Sequence, residues 1–74
     1  MKKDVEYYLR VQVINYMLEL EKIYNLRLSL EFKNGEWQIV HSSTSIVFTS
    51  AETLETLRDI LKLYIEKTSI FVPQ

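Results

Sequence analysis

Residues 26–40 read Leu26-Arg27-Leu28-Ser29-Leu30-Glu31-Phe32-Lys33-Asn34-Gly35-Glu36-Trp37-Gln38-Ile39-Val40, and the fold turns on how this stretch is paired. Up to Lys33, apolar and polar side chains alternate with a period of two, the pattern of an antiparallel strand with one face in the core and one in water. Asn34-Gly35 follows, and both residues tolerate the positive φ that a type I′ turn demands of its two central positions. A loop of that length sets the register. It places Lys33 opposite Glu36, Phe32 opposite Trp37 and Leu30 opposite Ile39, giving an aromatic pair on the core face and an opposite-charge pair on the solvent face.

Working outward, His41 to Ser45 predicts a polar turn, and Ser45 to Thr49 a short third strand with Ile46 and Phe48 on one face. Thr49-Ser50-Ala51-Glu52 reads as a capping box, with Thr49 as N-cap and Glu52 three residues on. It opens a helix over 50–67 whose apolar side carries Leu54, Leu57, Ile60, Leu61, Tyr64 and Ile65. Upstream, residues 4–24 contain no Gly or Pro and predict a long helix. Val5, Leu9, Val13, Tyr16, Leu20 and Ile23, with Tyr8 and Met17 at the edges, form a broad apolar stripe wide enough to cover a core. On the opposite side Tyr7, Val11, Ile14 and Leu18 recur at i, i+4, i+7 and i+11, the narrow spacing of a helix–helix seam.

The expected architecture is α+β: helix, three-stranded antiparallel meander (strands 26–33, 36–41 and 45–49), helix. It has two layers, with both helices on one face of the sheet, the face bearing Leu28, Leu30, Phe32, Trp37, Ile39, Ile46 and Phe48. Residues 1–74 form a single domain. The apolar tail, residues 68–74, is expected either to pack as an extended segment or to join an interface.

Composition narrows the function. The chain has 74 residues, 47% apolar and 26% charged, which suits one small folded domain. It has no cysteine, so disulfides, thiolate metal sites and thiol nucleophiles are excluded, and a reducing cytoplasm is the expected location. Asp4, Glu6 and Arg10 interrupt any apolar segment after Met1-Lys2-Lys3, so a secretory leader is not expected, and no apolar run approaches a membrane span. A single Gly cannot build a phosphate-cradling loop, and the one histidine, His41, lies in a Ser/Thr-rich turn with no third group to orient its ring. Neither an enzyme nor a cofactor or metal site is expected.

Nucleic acid is a separate question, because helix, three strands, helix is also the order of the double-stranded RNA-binding domain. That family grips phosphates with a Lys-rich start to its second helix. Here the same place holds Thr49-Ser50-Ala51-Glu52-Thr53-Leu54-Glu55, carboxylates where cations are required, and the likeness stops at topology. Nine Lys and Arg against ten Asp and Glu give a net charge of −1, with the cations scattered, so direct nucleic-acid binding is not expected.

Two surfaces stand out instead. A small domain cannot readily wrap both apolar sides of one helix, so Tyr7, Val11, Ile14 and Leu18 are expected to pack against a second copy in a homodimer. Glu52, Glu55, Asp59 and Glu66 recur along the outer side of the second helix, interrupted by Lys62, as a ridge for a partner with a basic surface.

A cysteine-free chain of this size, with Asn34-Gly35-Glu36-Trp37 in a hairpin between two helices, resembles the small early proteins that phages make to disable host machinery. It is similar in layout to inhibitors of the bacterial replication sliding clamp from staphylococcal phages, and to several anti-CRISPR proteins that combine a short meander with acidic helices. The resemblance implies a dimer lodged in the DNA channel of the clamp that blocks its loading onto DNA. The second-helix carboxylates would then face the channel's basic lining while the first-helix seam holds the dimer. A net charge of −1 departs from the strong acidity of DNA mimics. The alternatives are a small nucleic-acid-binding regulator, using Lys2, Lys3 and Arg10, an anti-CRISPR-like inhibitor of a defence protein, or an auxiliary structural subunit.

Overall fold

A computed structural model describes the backbone of residues 2–71 and the side-chain surroundings of residues 4–67. The elements run α1 (Lys2–Tyr24), β1 (Leu28–Lys33), β2 (Glu36–His41), β3 (Val47–Ala51) and α2 (Leu54–Phe71). The strands form one antiparallel sheet in the order β1-β2-β3. This is the αβββα, α+β arrangement that the periodicity predicts.

The hairpin has the predicted register: Lys33 faces Glu36, Phe32 faces Trp37 and Leu30 faces Ile39. Asn34 and Gly35 have φ of 54° and 78°, as a type I′ turn requires. The Phe32 and Trp37 rings lie 4.9 Å apart between centroids.

α1 ends where its last carbonyls find a donor. Asn25 takes a left-handed φ of 55°, and the Leu26 N–H donates to the Glu21 carbonyl at 3.2 Å, closing a Schellman turn. Leu26 is thereby spent on the cap, and the first strand starts at Leu28 rather than Leu26. The Leu28 N–H donates to the Glu21 carboxylate at 2.8 Å, which ties the strand to the helix.

The second half departs further from the periodicity. β3 spans Val47–Ala51 rather than residues 45–49, because a bulge interrupts its ladder: Val40 faces Val47 but Ile39 faces Thr49, leaving Phe48 as the extra residue. Ile46 falls before the strand and is exposed, whereas Phe48 packs against the rings of Tyr24, His41 and Tyr64. Thr49-Ser50-Ala51 therefore pairs with β2, and Thr49 is not the cap of α2. Thr53 is: its Oγ1 accepts from the Thr56 N–H at 3.1 Å, and α2 begins at Leu54. Ala51 is buried opposite Trp37, so ladder and burial together outweigh the local capping pattern.

α2 continues to Phe71, past the predicted end at Lys67, since no Gly or Pro intervenes and Pro73 is the first residue to oppose helix. The expectation of an extended tail fails for residues 68–71, and residues 72–74 lie outside the described ones.

Val13, Met17 and Leu20 of α1, Leu28, Ile39 and Ala51 of the sheet, and Leu54, Leu57 and Leu61 of α2 make the core. The pairing puts Leu28, Ile39 and Ala51 on one sheet face, and both helices cover it. No polar or charged side chain among the described residues is buried, so apolar burial carries the core without desolvated charge. Two corrections concern the edges. Phe32 lies on the core face as predicted, opposite Trp37, but is exposed rather than part of the core. The outer face carries a buried Val40 opposite Val47, although its other positions are largely polar.

Candidate functional site

α1 packs chiefly on α2, with a smaller contact to β1. Its inner side contributes Leu9, Val13, Tyr16, Met17 and Leu20, the middle of the predicted broad stripe. The ends of that stripe, Val5 and Ile23, are exposed, because the helix extends past the layer it packs on, and Tyr8 at its edge is exposed as well. On its far side Tyr7, Ile14 and Leu18 are 70%, 44% and 51% exposed and Val11 is half-buried. None of the four belongs to the core or packs against it. Four side chains at seam spacing thus form one open apolar strip along the helix, flanked by Asp4 and Lys22.

A second feature lies where the start of α1 meets the start of α2. An open groove of about 750 Å³ is floored by Val5 and Leu9 of α1, Trp37 of β2 and Leu54 of α2. Glu6, Glu52 and Glu55 stand around it. It runs into a smaller depression of about 490 Å³ bounded by Asp4, Tyr8 and Arg58. At its margin the Arg10 guanidinium lies 5.1 Å from the centre of the Trp37 ring and 3.2 Å from the Glu6 carboxylate, a cation held between an aromatic face and an anion. The hairpin register makes this site: it fixes Trp37 next to β3, at the end of the sheet over which both helices start.

The sequence-predicted acidic row is divided. Glu55, Asp59 and Glu66 are exposed on α2, while Glu52 stands in the connection before the helix and borders the groove. Arg58 interrupts the row as well as Lys62. Its guanidinium bonds Asp59 at 3.1 Å, reaches Glu55 at 4.0 Å and donates to the Gln12 side-chain oxygen at 3.1 Å. Asp59 is therefore paired within the chain, whereas Glu52 has no ion-pair or hydrogen-bond partner among the described residues. The groove was not legible from the helix pattern, because Val5 and Leu9 read as core stripe and Trp37 as a core-face residue.

The Ser/Thr-rich turn is built for structure. The His41 N–H donates to the Ile46 carbonyl at 2.8 Å and its ring meets Phe48 edge-on at 5.8 Å, while Ser42 Oγ shares a hydrogen bond of 2.7 Å with Ser29 Oγ. Among the described residues no group of three His, Asp or Glu is placed to hold a metal ion, and no helix is long and apolar enough to cross a membrane. In comparisons with family models, curated proteins and solved structures, the chain matches none.

Proposed function

We propose that this chain is a non-enzymatic protein-binding module that works as a homodimer and acts by occupying a surface of a partner protein. The observation that carries the reading is the uncovered α1 strip of Tyr7, Val11, Ile14 and Leu18, large apolar side chains facing water in a domain whose own core is small. Its spacing, four, three, four, is the same read in either direction. An antiparallel two-fold therefore sets Tyr7 against Leu18 and Val11 against Ile14, each contact made twice, as an isologous interface requires. The same operation brings Asp4 of one copy beside Lys22 of the other, opposite charges flanking an apolar seam.

For the partner, the resemblance to small phage inhibitors favours a bacterial replication or defence protein with a basic surface, the sliding clamp first among them. The carboxylates of Glu52, Glu55, Asp59 and Glu66 supply the complementary charge. Light scattering tests the first half: a dimer at micromolar concentration is expected, and a monomer rejects it. Titration against purified sliding clamp tests the second, with Glu55→Lys/Asp59→Lys as control. Tight binding of the parent protein and none of the variant is the expected result. The absence of any interaction removes the clamp as partner.

A further inference from the structure

The groove between the starts of α1 and α2 points to the chemistry of what is bound. We infer that it docks a basic, apolar-anchored peptide segment of the partner protein, an arginine or lysine flanked by aliphatic side chains. This rests on the reading of the chain as a protein-binding module and names the occupant.

The floor supplies the apolar half. Val5 is 58% exposed although it belongs to the core stripe of α1, and with Leu9, Trp37 and Leu54 it offers a concave apolar surface that nothing in the described chain fills. The rim supplies the charge. Glu6, Glu52 and Glu55 surround the floor, and Asp4 borders its continuation. Among the described residues the nearby cations are already engaged, Arg10 with Glu6 and Trp37, and Arg58 with Asp59, Gln12 and, at 4.0 Å, Glu55. Glu52 remains unpaired among the described residues, and the Arg10–Trp37–Glu6 arrangement shows how a guanidinium sits in this setting: over the indole ring, backed by a carboxylate.

Two other occupants fail on geometry. Residues 72–74 follow α2, whose end at Phe71 is ~26 Å from Leu54 at 1.5 Å per residue, and three residues reach only ~11 Å. A second copy seated on the α1 strip does not cover the groove either. Val5 and Leu9 each lie nine residues from a strip residue, Ile14 and Leu18, which is about half a rotation of the helix and puts them on its opposite side.

Trp37 is the only tryptophan and lies on the floor, so its emission reports occupancy. The full chain is titrated with the capped peptide Leu-Arg-Leu-Arg-Leu, with its counterpart carrying Glu for Arg, and with spermine. Saturable binding is expected for the Arg peptide, at least about tenfold tighter than for the other two, and weaker at high salt. The exposed pair Glu52→Gln/Glu55→Gln should weaken it about tenfold while leaving the circular dichroism melt unchanged. Equal binding of the two peptides, spermine binding as tightly, an undiminished affinity in the Gln variant, or no saturable change overturns the inference. Light scattering on the same samples separates the two ideas. A monomer that binds the Arg peptide rejects the dimer alone, and a dimer that ignores it rejects the groove alone.

Discussion

Ile14→Lys is the sharpest perturbation of the proposed dimer, because Ile14 sits next to the two-fold and is 44% exposed in the single chain. Complete burial of an isoleucine side chain is worth about 1.5–3 kcal/mol, so covering its exposed part contributes about 1 kcal/mol per copy and about 2 kcal/mol per dimer. Lysine forfeits that and adds two ammonium groups to one apolar seam, so about 2 kcal/mol is a floor, equivalent to at least about thirtyfold in dissociation constant. The fold should survive, since Ile14 lies outside the core and lysine is no poorer a helix former than isoleucine. In a dilution series by sedimentation equilibrium, the parent protein should hold twice the 8.9 kDa chain mass at concentrations where the variant holds one. Its melting temperature should rise with concentration and the variant's should not. A parent protein that is monomeric throughout, or a variant that dimerises equally well, refutes the argument. A variant that unfolds refutes the placement of Ile14 on the outside.

Other positions test the fold that presents these surfaces. Leu57 is fully buried between the helices and sheet, so Leu57→Ala should cost about 2–5 kcal/mol in urea denaturation, a large share of what so small a domain has; a loss below about 1 kcal/mol contradicts its place in the core. Thr53→Ala should cost about 1 kcal/mol as loss of the α2 cap, while Glu52→Ala should stay within about 0.5 kcal/mol, the reverse of what the Thr49 capping box requires. Gly35→Ala should destabilise by about 1 kcal/mol purely through its φ of 78°, because an added Cβ meets nothing within 4 Å. Ser45→Gly, at a φ of 61°, should be neutral or stabilising by the same measurement.

The hairpin shows how far local chemistry reaches. Asn34-Gly35 specifies the turn, the turn specifies the register, and Phe32, Trp37, Leu30 and Ile39 fall into place without further information. Helix α1 was equally legible, since a run of 23 residues free of Gly and Pro has few alternatives, and its two apolar sides follow from periodicity alone. The connection after β2 was not. Thr49-Ser50-Ala51-Glu52 is a good capping box and a passable edge strand. Only the availability of β2 as a pairing partner, with the core beneath Ala51, decides between them.

The candidate sites divide along the same line. The αβββα order, the hairpin and the apolar row of Tyr7, Val11, Ile14 and Leu18 follow from the amino-acid pattern alone, because each depends on residues close in the chain. The tertiary structure decided which apolar residues stay in water. Periodicity says that a side of a helix is apolar, but burial depends on how far the neighbouring layer extends. That layer stops short of Val5, takes in Leu9 only in part and leaves Trp37 at its border. The groove gathers residues from α1, β2 and the start of α2, separated by up to some fifty positions, and their meeting exists only once the chain has folded.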